Sequence, residues 1–176
     1  MSNPRALIAE VAREYLGTRE TSPNRGPHLQ EFWSATGYPD GAQDRQPWCS
    51  AFASFCVQEA DRRSPSLQLR LPPVFPAVRQ WAAWATDPRN GCILFTESEV
   101  LAGVIQPEAG DIVSFLPRLS HIGIVERFDP HQQIVHTIEG NTNDHGSREG
   151  DGVYAKQRAL HFCGTFYRVP ARALPA

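Results

Sequence analysis

The sequence predicts an α+β fold in which helices of the first half pack on one face of an antiparallel sheet from the second half. Two observations support this prediction. Apolar residues recur at helical spacing through the first half of the chain, and short β-branched or aromatic runs bounded by Gly, Pro, Asp and Asn fill the second. Because helices precede strands without alternation, the sheet is expected to be antiparallel.

Four helices are predicted. The first ends at Gly17, and the second ends at Gly37, where a turn-rich loop begins and runs to Pro47. The third begins near Trp48 and has the apolar spacing of a helix that faces a core. A proline-rich stretch over 65–76 then leads to the fourth. The predicted helices cover residues 7–16, 28–36, 48–60 and 77–85.

Six strands are predicted in the second half, where the pattern changes from helical spacing to short runs. Consecutive strands joined by short turns would form an antiparallel meander. The predicted strands are Cys92–Thr96, Asp111–Leu116, His121–Phe128, Gln133–Glu139, Val153–Leu160 and Cys163–Val169.

The length and the net charge of the chain exclude some classes of function. A chain of 176 residues is long enough to bury one core, so we expect a single domain over residues 1–176. The formal net charge of -2 gives no electrostatic case for binding nucleic acid or an anionic membrane. Charged residues interrupt the apolar residues of the N-terminus, and no segment has the length of a membrane span. We therefore expect synthesis in the cytoplasm without a signal peptide and no membrane insertion.

The four cysteines do not form a metal or redox motif, because no C-x-x-C occurs. Cys49 and Cys56 are seven residues apart on one predicted helix, about 10 Å in rise, so they cannot form a disulfide. Cys92 and Cys163 could pair, although two free thiols are the favoured interpretation. No metal site and no cofactor are predicted, since His161 and Cys163 stand without further ligands.

The arrangement with the clearest chemistry is a cysteine at a helix start followed by a histidine and polar residues on strands. The free N–H groups and dipole of a helix N-terminus favour a thiolate at Cys49. If Arg127 pairs with Gln133 in a hairpin, His121 lies opposite Glu139, close enough for the carboxylate to orient the imidazole. A two-residue shift in pairing would bring Asn141 there instead. Either register predicts a Cys–His–polar catalytic triad.

Residues near the predicted nucleophile are candidates for substrate contact. The backbone N–H at the start of the third helix could donate to an oxyanion, with Gln46 or Trp48 helping from the preceding loop. Tyr38, Trp48 and Asn143 are the other side chains expected to contact substrate.

At these residues the chain resembles the CHAP amidase/peptidase family, within the broader NlpC/P60 group of cysteine hydrolases that cut bacterial cell wall. The likeness runs from Glu20 to about Tyr167, and Glu20 with Asn24–Pro27 resembles the opening segment of such hydrolases. The motifs that carry the resemblance are Pro47-Trp48-Cys49-Ser50-Ala51-Phe52, Gly110-Asp111-Ile112-Val113, His121-Ile122-Gly123-Ile124-Val125 and Glu139-Gly140-Asn141.

The resemblance implies a papain-like (NlpC/P60/CHAP) fold with the nucleophile at a helix N-terminus. It also implies that Cys49 is the nucleophile, His121 the general base, Glu139 the group that orients the imidazole and Asn141 a supporting polar group. The expected substrate is bacterial peptidoglycan, cut at an amide bond by amidase or endopeptidase action. The enzyme would reach the wall as a phage lysin released at lysis or as a secreted antibacterial toxin, which would add an immunity or inhibitor protein as a partner.

Two alternatives stay open at this point. A papain-like protease or transferase that acts on a protein substrate would use the same triad. A catalytically silent wall-binding or inhibitor-type module would keep the fold without the chemistry.

Overall fold

The computed structural model describes residues 3–64, 67, 69, 73–117, 120–145 and 150–171. These residues form five α-helices, six strands and short 3₁₀ helices. The helices are α1 Ala6–Glu14, α2 Leu29–Ser34, α3 Cys49–Arg63, α4 Val78–Thr86 and α5 Glu97–Leu101. The strands are β1 Ile93–Thr96, β2 Ile112–Phe115, β3 Ile122–Asp129, β4 Ile134–Thr142, β5 Gly152–Ala159 and β6 Cys163–Arg168.

The four predicted helices are confirmed as α1 to α4, with ends within a few residues of those expected. The chain leaves α1 through Gly17, whose φ of +89° suits glycine because it has no Cβ. A 3₁₀ helix, Pro39–Ala42, lies in the predicted loop before α3, and part of the proline-rich stretch lies outside the described residues. The sequence did not predict α5, which is too short for a periodic pattern. Its first turn is stabilised by Glu99, whose carboxylate accepts from the Thr96 N–H at 2.9 Å.

All six predicted strands are present in one antiparallel sheet, with the order β1-β6-β2-β3-β4-β5. The expected meander is right for β2 to β5 but wrong for the whole sheet. The last strand returns to lie between β1 and β2, where Phe166 pairs with both Phe95 and Val113. Strand β6 therefore has two partners, β1 and β2, whereas a meander would have left it at an edge.

Both faces of the sheet are covered. Helices α1 to α4 pack on one face around a large core that includes Ile112, Ile124 and Ile138. Their neighbours Val113 and Val125 point the other way, as the period of two requires, into a second core that contains Val100 of α5. The prediction that helices pack on one face is therefore right for α1 to α4 and wrong for α5.

Of the two registers that the sequence allowed, the β3–β4 hairpin has the one shifted by two residues at its His121 end, where Ile124 pairs with Ile138 and Val125 with Thr137. Arg127 pairs with His136 rather than Gln133, and a bulge between Val125 and Arg127 shifts the remaining pairs. Counted on from the pair Ile124–Ile138, Glu139 lies opposite Gly123 and not opposite His121. A Cβ atom at Gly123 would lie 2.7 Å from Glu139 Cγ. The missing side chain therefore gives the Glu139 side chain room beside β3.

Strand β4 passes directly against the start of α3. A Cβ atom at Gly140 would lie 2.8 Å from both Phe52 Cβ and Trp48 Cζ3, so only glycine allows this approach. The contact brings the end of β4 next to the helix that begins at Cys49. None of the helices that the structure describes is both long and apolar enough to span a bilayer.

Candidate active site

The predicted nucleophile, Cys49, is the first residue of α3 and lies in a cleft of about 430 Å³. Only 3% of Cys49 is exposed, so the thiol is shielded from bulk water while it still contributes to the cleft surface. The loop before α3 and the segment that opens α4 both contribute residues to the cleft lining. The lining residues are Trp33, Tyr38, Gln46, Pro47, Cys49, Ser50, Pro76, Ala77, Val78, Arg79 and Ser120.

His121 immediately precedes β3 and is buried. Its Nε2 atom is 2.8 Å from Glu139 Oε2, and its ring stacks on Phe115 with centroids 5.7 Å apart and an interplanar angle of 26°. The other ring nitrogen, Nδ1, is buried and has no hydrogen-bond partner among the described residues. Glu139 and Phe115 therefore fix the ring so that one nitrogen is held by the carboxylate and the other remains available.

Cys49 and Glu139 both influence the protonation of His121. Burial by itself lowers the pKa of His121, because an imidazolium is poorly solvated inside the protein. The interactions of His121 with Cys49 and with Glu139 outweigh burial and raise the pKa of His121 to about 9. The imidazole is therefore protonated at neutral pH.

Glu139 is fully buried, and its carboxylate accepts three hydrogen bonds from two side chains, Thr137 and Arg158, besides serving as the partner of His121. Thr137 Oγ1 donates to Oε1 at 2.6 Å, while Arg158 donates to Oε1 through Nε at 2.8 Å and to Oε2 through a terminal nitrogen at 2.5 Å. Burial raises the pKa of Glu139, but Arg158 and His121 outweigh it and lower the pKa to about 2. The group behind His121 is therefore a permanent anion.

The sequence analysis missed Arg158. In the sequence it alternates with other polar residues along β5, which is the pattern of a solvent-exposed face of an edge strand. The signal appears only in the register, because Arg158 pairs with Val135 and shares a face with Thr137 and Glu139. Its guanidinium also lies over the ring of Phe115, 5.1 Å from the centroid.

Asn141, the alternative partner for the histidine, lies two residues after Glu139 in β4. It is 5% exposed, has a left-handed backbone with φ of +57°, and its carbonyl accepts from the Gly150 N–H at 3.0 Å. His121 donates its Nε2–H to Glu139, and a supporting role for Asn141 stays a prediction.

The predicted substrate contacts are placed in different surroundings. Tyr38 and Gln46 line the cleft and are exposed, with the Tyr38 hydroxyl bonded to the Asp44 carboxylate. Trp48 does not fit the prediction for its side chain, because it is fully buried against Phe32. Asn143 is half-buried, outside the cleft-lining residues.

The buried side chain of Trp48 has a structural role, because it holds the opening segment of the chain. Its Nε1 donates to Glu20 Oε1 at 2.7 Å, and the other oxygen of Glu20 accepts from the Asn24 N–H at 2.9 Å. The opening segment is thereby tied to the residue that precedes the nucleophile.

The remaining cysteines differ from Cys49 in their surroundings. All four are free, and the other three lie outside the cleft lining. Burial raises the pKa of Cys92 and of Cys163 to about 12, so these two thiols stay protonated at neutral pH. Within the described residues, no three His, Cys, Asp or Glu side chains are grouped so that they could hold a metal ion.

Comparison with known proteins identifies the family. A search among curated proteins gives no match. The family model described as "CHAP domain" matches residues 41–141, which is more than half of the chain and includes Cys49, His121, Glu139 and Asn141. Domains of this family typically hydrolyse peptidoglycan. The mixed α+β architecture with its antiparallel six-stranded sheet is compatible with the family's fold, and the chain belongs to the CHAP domain family.

Proposed function

We propose that this protein is a cysteine hydrolase that cleaves an amide bond in bacterial peptidoglycan, as an amidase or an endopeptidase. The observation that carries the proposal is His121, held by Glu139 through one nitrogen and raised in pKa by Cys49. Family membership supplies the substrate class. A thiol, an imidazole and a fixed carboxylate are the groups that cysteine-dependent acyl transfer requires.

The proposed reaction begins from a Cys49 thiolate beside the His121 imidazolium. The thiolate attacks the carbonyl carbon of the amide, and the carbonyl oxygen becomes an oxyanion. When the C–N bond breaks, His121 gives its proton to the leaving amine and a thioester remains on Cys49. A water molecule then attacks the thioester while neutral His121 takes its proton. Collapse of this second intermediate releases a carboxylic acid and restores the thiolate.

The surrounding groups support these steps. The negative charge of Glu139 stabilises the imidazolium and its bond to Nε2 keeps Nδ1 free to face the reacting atoms. In this proposal, backbone N–H groups at the start of α3 stabilise the oxyanion, and Gln46, which lines the same cleft, assists them. Arg158 acts through Glu139 as a positioning residue, and Tyr38 offers an aromatic surface to the substrate.

The proposed setting is the bacterial cell wall and periplasm, with residues 1–176 as a single catalytic domain. The enzyme would arrive there as a phage lysin released at lysis, or as an antibacterial toxin exported by a specialised secretion machine. In the second setting, an immunity or inhibitor protein would protect the producing cell.

The test is mass spectrometry of soluble products after incubating purified peptidoglycan with wild-type protein, with Cys49→Ala and with Cys92→Ala. We expect new fragments from the wild type and from Cys92→Ala, because Cys92 lies outside the cleft, and only background from Cys49→Ala. The fragment masses would name the bond. Fragments from Cys49→Ala, or none from the wild type, would overturn the proposal. A parallel incubation with protein substrates would detect a protease of the same mechanism.

A further inference from the structure

We propose that Arg79 forms a carboxylate-binding subsite in the cleft, so that the preferred substrate carries a free carboxylate close to the amide bond that is cut. The inference rests on the proposed function and adds a specificity-determining residue to it. Its ligand is an acidic residue of the peptidoglycan stem peptide with its carboxylate unmodified.

Arg79 lines the same cleft as the loop that precedes the nucleophile. It is the second residue of α4, and it shares this cleft with Cys49. Tyr38, Gln46 and Pro47 of the loop also line the cleft, as does Ser120, next to His121 in sequence. A substrate whose carbonyl reached Cys49 would therefore extend along a surface to which Arg79 contributes.

The charges of the catalytic groups cancel in pairs and leave Arg79 uncompensated. In the proposed resting state the Cys49 thiolate balances His121, and Glu139 balances Arg158. Among the described lining residues, Arg79 is the one besides Cys49 with a side chain that is charged in this state, and the nearby Asp44 carboxylate already bonds to the Tyr38 hydroxyl. A cation in the cleft without a carboxylate bound to it favours an anionic group on the substrate.

Arg79 also differs from the arginines that stabilise the fold. Arg5, Arg13 and Arg63 form ion pairs with glutamates of the same chain. Arg79 is exposed, and it has no ion-pair or hydrogen-bond partner among the residues that the structure describes. Its guanidinium is therefore free to bind a ligand without first breaking an internal bond, which would otherwise reduce the affinity.

The chemistry of the guanidinium selects a carboxylate. Its planar N–H groups match the two oxygens of a carboxylate and form two parallel charge-assisted hydrogen bonds. A carboxamide offers one oxygen and no charge, so the same contact is weaker. An acidic stem residue presents a carboxylate and its amidated counterpart a carboxamide, so Arg79 would distinguish the two forms.

The experiment compares two synthetic muropeptides that differ only in whether the acidic stem residue carries a carboxylate or a carboxamide. Wild-type protein, Cys49→Ala, Arg79→Gln and Arg79→Lys are assayed on both. Arg127→Gln is the control, because Arg127 is exposed on β3 and lies outside the cleft lining. This substitution changes the net charge by the same amount as Arg79→Gln. Circular dichroism checks that the variants fold.

We expect the wild type to prefer the carboxylate, and Arg79→Gln to lose about tenfold in kcat/KM on that substrate, mainly through KM. On the carboxamide the loss should be under about twofold, and Arg79→Lys should fall between, since it keeps the charge but not the fork. Equal losses on both muropeptides, or a wild type without preference, would overturn the inference and leave the hydrolase proposal standing. If the wild type cleaves neither muropeptide in a Cys49-dependent way, both proposals fall.

Discussion

Two arginines of the sheet, Arg168 and Arg158, each hold a buried carboxylate, and the two pairs differ in what else contacts the carboxylate. Arg168 on β6 holds Asp111 through Nε at 2.9 Å and through a terminal nitrogen at 2.7 Å. Arg158 on β5 holds Glu139 at 2.8 and 2.5 Å. Both carboxylates are fully buried. Only Glu139 also contacts a histidine, and only that histidine interacts with a cysteine in a cleft.

The surroundings give the two carboxylates opposite pKa directions. Burial raises the pKa of Asp111 in spite of Arg168, and its further hydrogen bond comes from the backbone of Glu108 at 2.8 Å. Burial also acts to raise the pKa of Glu139, but Arg158 and the His121 cation together lower it to about 2. The Asp111 pair joins the loop before β2 to strand β6, whereas the Glu139 pair holds a stable negative charge beside His121. Similar ion pairs serve stability in one place and, we propose, catalysis in the other.

The substitution Glu139→Gln tests the difference between the two pairs most directly, and its effect should be the largest. Removing the charge that favours the imidazolium should lower the pKa of His121 from about 9, and it should loosen the ring orientation. We expect kcat/KM on peptidoglycan fragments to fall about 100-fold or more, with the basic limb of the pH profile moving below pH 9. The measurement is a pH–rate profile of both proteins. An unchanged basic limb would show that Glu139 does not set the charge of His121.

The matched change at the other pair is Asp111→Asn, where we expect a loss of stability rather than activity. The substitution leaves Arg168 buried with only Glu108 as an ionic partner, at 3.3 Å. We expect the free energy of unfolding to fall by about 3 kcal/mol, since removing one partner of a buried pair leaves the other uncompensated. Denaturant unfolding measures this loss, and kcat per active site should stay within about twofold. A large drop in kcat in the folded variant would make Asp111 part of the catalytic machinery.

A smaller effect is expected from Arg158→Gln, which removes the arginine partner of Glu139 but keeps the Glu139 carboxylate. Because Arg158 lowers the pKa of Glu139, its loss should let that pKa rise from about 2. Glu139 would then become neutral at a higher pH, so the acid limb of the activity profile should move upward in pH. At neutral pH we expect about a tenfold loss of kcat.

Arg158→Lys provides the control for that prediction, since it restores the charge without the two-point contact. It should return the acid limb most of the way to its wild-type position while kcat recovers in part. A uniform loss of activity at every pH in both variants would indicate a structural role alone.

Local patterns were enough to predict most elements of this protein. Helices α1 to α4 and all six strands lie within a few residues of their predicted positions, because side-chain periodicity depends on neighbours in the chain. Pairing was harder to predict. The hairpin turn sets Asp129 opposite Ile134, which already differs from the pairing of Arg127 with Gln133, and a bulge between Val125 and Arg127 shifts the later pairs by one residue. The position of β6 between β1 and β2 depends on contacts far apart in sequence.

The sequence by itself determined the candidate chemistry: a cysteine at a helix start, His121 and Glu139 as its partners, and the family that these motifs indicate. These features are local in residue type and spacing. The tertiary structure decided how they meet. Glu139 reaches His121 from a position opposite Gly123, Arg158 holds it from a neighbouring strand, and Arg79 enters the cleft from another helix. Such contacts join residues distant along the chain, and they arise only when packing of the whole sheet and its helices fixes the register.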